Sequence, residues 1–143
     1  MIKNAKLHHI GYAVTDIRRT ASLFTHHGYQ AGSILYEDAL NVELCYLHKP
    51  DSVTIELVHQ YQPDSLESKL IQKSGVMPYH ICYEVSNFEA ACLEMQNLGY
   101  TPLFIPTPVR VLSNKLICYF HHPDVGYIEL LEAEPCSYKN KSF

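Results

Sequence analysis

The sequence predicts an α+β fold built from two β-α-β-β-β modules related by a pseudo-twofold repeat, and three observations carry that prediction. Residues 45–57 (CYLHKPDSVTIEL) and 118–130 (CYFHHPDVGYIEL) align without a gap at an offset of 73, with 8 identities in 13 positions. HIGYAV beginning at His9 matches HICYEV beginning at His80 at an offset of 71, a register that runs on to Gly28-Tyr29 and Gly99-Tyr100. Within each copy the apolar period changes from two to three or four and back again, which reads as strand, helix, strands. Each copy carries one His near its start and one Glu near its end. The repeat therefore puts two histidines and two carboxylates in equivalent places.

In the first copy, alternation over Leu7 to Val14 places Ile10, Tyr12 and Val14 on one face of a strand and His9, Gly11 and Ala13 on the other, the small residues leaving His9 uncrowded. Thr15-Asp16 offers an N-cap. Ile17, Thr20, Ala21 and Phe24 then share a helical face before Gly28 stops the helix. Apolar clusters around Ile34–Tyr36, Val42–Leu47 and Val53–Val58 read as three strands, with a tight turn at Lys49-Pro50-Asp51-Ser52. In the last of these strands Thr54, Glu56 and Val58 share a face.

Residues 60–77 read as a linker with a short helix, opened at Pro63-Asp64-Ser65 and closed by Gly75. The second module, 78–133, repeats the first. Its strand Tyr79 to Val85 leads to a cap at Ser86-Asn87, a helix with Phe88, Ala91, Cys92 and Met95 on one face, and a stop at Gly99. Three strands follow. The proline-rich piece Phe104 to Val109 suits an edge strand or loop, because proline cannot donate to a central ladder. Together 6–59, 60–77 and 78–133 form one domain, 6–133, and 134–143 is expected to be a polar, frayed tail.

Composition excludes several classes of function. No apolar run approaches the roughly 18 residues of a membrane span, and a formal charge of −4 without a basic cluster argues against nucleic acid. An N-terminus without an apolar core and five cysteines without CxxC spacing lead to the expectation of a cytoplasmic protein. Nine histidines are many for 143 residues, and they gather at His8-His9, His26-His27 and His121-His122. His8 falls on the opposite strand face from His9 and is not expected to bind metal. His48 and His121 sit beside the His-Lys-Pro-Asp and His-His-Pro-Asp turns, where a hairpin-closing role is expected. Cys45 and Cys118 lack the electropositive company that activates a thiol and read as core.

Two such modules with the pattern His…Glu, His…Glu resemble the vicinal-oxygen-chelate superfamily, which includes glyoxalase I, methylmalonyl-CoA epimerase, extradiol dioxygenases and antibiotic-resistance proteins. The resemblance covers roughly residues 6 to 133. It implies a mixed β-sheet curled into a cup, with metal ligands at His9 (HHIGYAV), Glu56 (TIEL), His80 (YHICYEV) and Glu129 (YIELLE). Imidazole and carboxylate donors suit Zn, Ni, Co, Mn or Fe(II), and four protein ligands on a six-coordinate ion leave two positions for substrate oxygens. A lone strand His, or a lone Glu in an apolar strand, is more often structural. Four at repeat-equivalent positions favour a divalent metal, since a carboxylate buried within IEL needs a partner.

The segment SLESKLIQKSGVMPYHICYEV is similar to the linker helix and second metal histidine of the methylmalonyl-CoA epimerases. That similarity implies a metal-dependent isomerase that moves the proton alpha to a thioester or other carbonyl through a metal-held enolate. The expected partner is a small molecule, an acyl-CoA among the candidates, with a homodimer allowed. This chain carries Ala39 near the position where those epimerases carry a Glu, with Glu37 and Asp38 beside it in a segment that looks flexible. The catalytic carboxylates to weigh are thus Glu129, Glu37 and Asp38, with Glu129 expected to be displaced from the metal and to act as the base. PTPVRVLSNK also replaces the family's glycine-rich loop before the seventh strand, changing the wall that would meet a CoA carrier. Two alternatives stand beside the isomerase: a glyoxalase I-like lyase (lactoylglutathione lyase) and a non-catalytic metabolite- or drug-binding protein. Against the lyase, Arg18 and Arg19 fall in the first helix and Arg110 is alone, so no arginine pair for glutathione is apparent.

Overall fold

The computed structural model describes residues 2–133; the tail expected at 134–143 lies outside the described residues. The described residues divide into two compact units, His8–His80, and 2–7 together with 81–133. The linker helix belongs to the first of them.

The first unit holds β1 (Lys6–Ala13), α1 (Ile17–Thr25), β2 (Gln30–Ala31), β3 (Leu35–Glu37), β4 (Val42–His48), β5 (Ile55–His59) and α2 (Leu66–Ser74), in the strand order β2-β4-β5-β1 with β3 also on β4. β1 runs parallel to β5 and the other pairs are antiparallel. Asp16 caps α1 by accepting the Arg19 N–H at 3.0 Å, as its sequence position predicts. The helix proper stops at Thr25, and Gly28 at φ 88 reverses the chain so that the Tyr29 N–H returns to Phe24 O. Ile17 and Ala21 of α1 pack on Val14, Cys45, Leu47, Ile55 and Leu57. That leaves the opposite sheet face to His9, Gly11, Glu56 and Tyr46, in agreement with the alternation.

The second unit repeats the plan. The end of β6 (Met77–Val85) leads into α3 (Phe88–Asn97), followed by β7 (Thr101–Pro102), β8 (Thr107–Val109), a 3₁₀ turn at Arg110–Leu112, β9 (Lys115–His122) and β10 (Gly126–Glu132), with strand order β6-β10-β9-β7. Asn87 caps α3, Gly99 at φ 93 closes it, and the Tyr100 N–H returns to Met95 O. Phe88, Ala91 and Met95 pack on Val85, Cys118, Phe120, Ile128 and Leu130. The α+β class and the doubled β-α-β-β-β plan are those the sequence predicts.

The edge strand of each module is broken in two. β2 and β3 both pair with β4, with Ala31 opposite Leu47 and Leu35 opposite Leu44, so four steps on the edge meet three on its neighbour. β7 and β8 both pair with β9, with Pro102 opposite Phe120 and Thr107 opposite Ile117. A thiol sits at each break: Cys45 Sγ donates to Gly32 O at 3.4 Å and Cys118 Sγ to Phe104 O at 3.1 Å. These cysteines are core, as expected, and burial pushes both thiols up. Desolvation also pushes Cys92, on the sheet-facing side of α3, up to about 12.

The histidines beside the turns close their hairpins. His48 Nδ1 lies 3.3 Å from Thr54 Oγ1, the residue across the β4–β5 turn, and the His121 ring packs on Tyr127 opposite it on β10. In the turn itself Pro50 precedes Asp51 at φ 57 and the Ser52 N–H closes on Lys49 O, and β5 begins at Ile55, two residues later than the apolar cluster suggests, although Thr54 O already accepts the Ile10 N–H of β1.

Raised, buried thiols should be slow nucleophiles. At pH 8, peptide mapping after brief iodoacetamide treatment should find Cys45 and Cys118 unmodified in native protein and fully modified in denaturant. Rapid native labelling of either would place that thiol at the surface.

Candidate metal centre

Glu56 lies on β5 opposite Gly11 of the parallel strand β1 and opposite Tyr46 of the antiparallel strand β4. His9 is two residues before Gly11 on the same face, and His80 ends the first unit on β6. All three side chains are almost completely enclosed: His9 is 0%, His80 2% and Glu56 6% exposed. Their polar atoms meet at one point. His9 Nε2 is 3.1 Å from His80 Nε2 and 3.3 Å from Glu56 Oε1, and His80 Nε2 is 3.5 Å from the same oxygen.

What lets the second imidazole in is the absence of a side chain at position 11. A Cβ built on Gly11 would fall 2.0 Å from His80 Cε1 and 2.4 Å from its Nδ1. The sequence reading that small residues clear space for His9 is therefore corrected: the space is taken by His80. A comparison of the repeats carries the signal, since HIGYAV has glycine where HICYEV has Cys82. Sequence reasoning also missed Tyr46. Its ring meets His9 edge-on at 5.7 Å and stacks on His48, filling the face beside Glu56. The signal is again the repeat, because Tyr119 stands opposite Glu129 just as Tyr46 stands opposite Glu56.

Electrostatics hold the Glu56 carboxyl ionised. Burial pushes it up, but the two imidazoles that face it outweigh burial, and the net shift is downward. Two imidazole nitrogens and a carboxylate oxygen with edges of 3.1, 3.3 and 3.5 Å also match what a cation requires. Bonds of about 2.0–2.2 Å to tetrahedral or octahedral neighbours put those neighbours roughly 3.0–3.5 Å apart. The donor set fits a divalent ion such as Zn, Co, Ni or Mn.

The other expected site residues lie as follows. Glu129 is on β10 in the second unit, opposite Tyr119, and is 4% exposed. Glu37 is not in a flexible segment: it ends β3, is 1% exposed, and its Oε2 accepts the Ala39 N–H at 3.1 Å. It stands level with Val42, four residues along β4 from Tyr46, or about 13 Å at the strand rise. Asp38 opens the following turn and is exposed. His8, placed on the far face by alternation, nevertheless touches the site through His9, with Nδ1 to Nδ1 at 2.8 Å. His26 and His27 are exposed at the end of α1. Arg19 pairs with Asp16 within α1, and Arg110 begins the 3₁₀ turn.

With the fold and this centre in view, the chain can be placed among known proteins. The model of the Glyoxalase/Bleomycin resistance protein/Dioxygenase superfamily matches residues 8–120, and the chain belongs to that superfamily. Among solved structures, methylmalonyl-CoA epimerase from Mycobacterium tuberculosis is 23% identical, with 97% of each chain covered and a TM-score of 0.78. A hypothetical protein from Bacillus halodurans C-125 is 25% identical over 93% of this chain and 97% of its own, also with a TM-score of 0.78. A methylmalonyl-CoA epimerase in complex with methylmalonyl-CoA and NH4+ is 18% identical over 91% and 95%, with a TM-score of 0.73. No functionally curated protein matches the sequence. Among the described residues no helix is long and apolar enough to cross a membrane.

The void at Gly11 yields a direct test. Gly11→Ala should force the His80 ring out of its place, with an overpacking cost of about 1–3 kcal/mol, read from the denaturant midpoint. The His80 ring signals in an NMR spectrum should move with it. An unshifted His80 in a stable Gly11→Ala protein would contradict the packing described.

Proposed function

We propose that this chain is a metal-dependent isomerase that moves the proton alpha to a thioester or other carbonyl, in the manner of methylmalonyl-CoA epimerase. The observation that carries the proposal is the His9–Glu56–His80 triangle, whose edges are those of a coordination polyhedron. On this reading Glu129, the repeat mate of Glu56 and as deeply buried, supplies the fourth ligand. The epimerase structures of the same fold, one of them with methylmalonyl-CoA bound, support the substrate class. A bound divalent ion would supply Lewis-acid stabilisation of negative charge on the substrate's oxygens.

The chain's own residues then divide the work. His9, Glu56 and His80 hold the donor geometry, with Tyr46 packing against His9. Glu129 takes the proton as the α C–H bond breaks, the electron pair passes to the carbonyl oxygen, and a proton returned to that carbon completes the isomerisation. Glu37 is less suited to proton transfer, because its place in β3 is about 13 Å along the strand from the level of Glu56. The reading carries with it a small-molecule partner and a cytoplasmic location. The arginines give the glyoxalase I-like alternative no added support, since Arg19 is occupied by Asp16.

Protein purified without chelators should hold one divalent ion per chain, and His80→Ala should lower that content while His121→Ala leaves it unchanged. Metal-loaded protein should wash solvent deuterium into the α-position of an acyl-CoA such as methylmalonyl-CoA. A protein that binds thioesters without any exchange would instead be a sequestering protein of the same fold.

The base is assigned by a second experiment. Metal-saturated Glu129→Gln should lose exchange by roughly 10²–10⁴-fold, the range for removal of a general base. Full exchange in that variant, with loss in Glu37→Gln or Asp38→Asn, would move the role to one of those acids.

A further inference from the structure

We propose that His8 is a positioning residue that fixes the tautomer of His9, accepting a hydrogen bond from His9 Nδ1–H so that His9 Nε2 keeps its lone pair for the centre. The inference rests on the metal reading and adds to it a residue that binds no metal.

The geometry leaves little choice of polarity. His8 Nδ1 and His9 Nδ1 are 2.8 Å apart, with the two rings at 75° and centroids 5.1 Å apart. Two nitrogens that close share one proton, since two N–H groups would clash and two lone pairs would repel. If His8 donates, the single proton of a neutral His9 moves to Nε2, which lies 3.1 Å from His80 Nε2 and 3.3 Å from Glu56 Oε1. A proton there blocks the lone pair that a cation needs. If His8 accepts, its own proton sits on Nε2, His9 carries its proton on Nδ1, and His9 Nε2 is open. Only the second arrangement lets His9 serve as a ligand, and a ligand imidazole held by a partner on its other nitrogen is a general requirement of metal sites.

The repeat shows that this is a feature of one module. Tyr79 stands before His80 where His8 stands before His9. Tyr79 also flanks its histidine, with ring centroids 4.5 Å apart, but its hydroxyl is turned to Glu67 Oε2 at 2.8 Å, and a phenyl ring edge has no lone pair to offer. Both histidines are thus flanked by an aromatic ring, and only the ring of His8 brings an accepting nitrogen.

Two substitutions separate an acceptor from mere bulk. His8→Asn keeps an oxygen near the place of Nδ1, whereas His8→Leu fills similar space without one. Zinc affinity measured against a chromophoric chelator should fall about 10–100-fold in His8→Leu and stay within a few-fold of wild type in His8→Asn. Equal affinity in His8→Leu and wild type, or equal losses in both variants, would overturn the proposal. In protein labelled with ¹⁵N-histidine, a coupling across the hydrogen bond should join His8 Nδ1 and His9 Nδ1, with the proton on the His9 side. A proton found on His8 Nδ1 would overturn it as well. Should wild-type protein take up no zinc, the metal reading itself falls, and the same spectrum of the zinc-free protein decides the polarity of the pair on its own.

Discussion

A buried carboxylate between two imidazoles is the constraint on which the rest of the first unit depends. Left without partners, an ion as enclosed as Glu56 would cost several kcal/mol. Its position is tolerable because His9 and His80 face it at 3.3 and 3.5 Å. Several unremarkable features of the chain become necessary once that is required. β1 must pair with β5 in the register that sets Gly11 opposite Glu56, because only glycine leaves room for the His80 ring. A slip of one residue would turn Glu56 towards α1 and its apolar packing.

The repeat supplies the scaffold, and the departures from it supply the specific features. Both modules use the same cap, the same positive-φ glycine after the helix, and the same thiol donating to a carbonyl where the edge strand breaks. The first edge strand breaks after Gly32, whose N–H still bonds to Tyr46 O, and the second in a proline-containing stretch that cannot continue a ladder. Where the copies differ near the centre, the difference concerns either space or the place of a proton. Gly11 against Cys82 decides where a ring fits. His8 against Tyr79 decides whether the preceding ring can accept a hydrogen bond.

Membership of the superfamily and likeness to epimerase structures speak to a different level from this site. Structures 18–25% identical share the fold, and a fold of this kind hosts several chemistries. The donor triangle is a property of this chain's own side chains. It narrows the chemistry to what two imidazoles and a carboxylate can support.

Much of this was legible in the sequence because the governing patterns are local or repeated. Period-two alternation put His9 and Glu56 on faces opposite to the apolar residues that pack on α1, and the 71- and 73-residue offsets paired His9 with His80 and Glu56 with Glu129. Capping residues and glycines marked the helices because their effects extend only a turn away. Other features depend on atoms brought together by strand pairing, and no local pattern contains them. Gly11 reads as a small neighbour of His9, yet its function is to admit the ring of His80, far along the chain. Glu37 reads as part of a polar, mobile stretch, yet pairing with β4 buries it. Alternation separates His8 from His9, but it describes where Cβ atoms point and not how far a ring can turn, so a contact between adjacent imidazoles could be decided only by the tertiary structure.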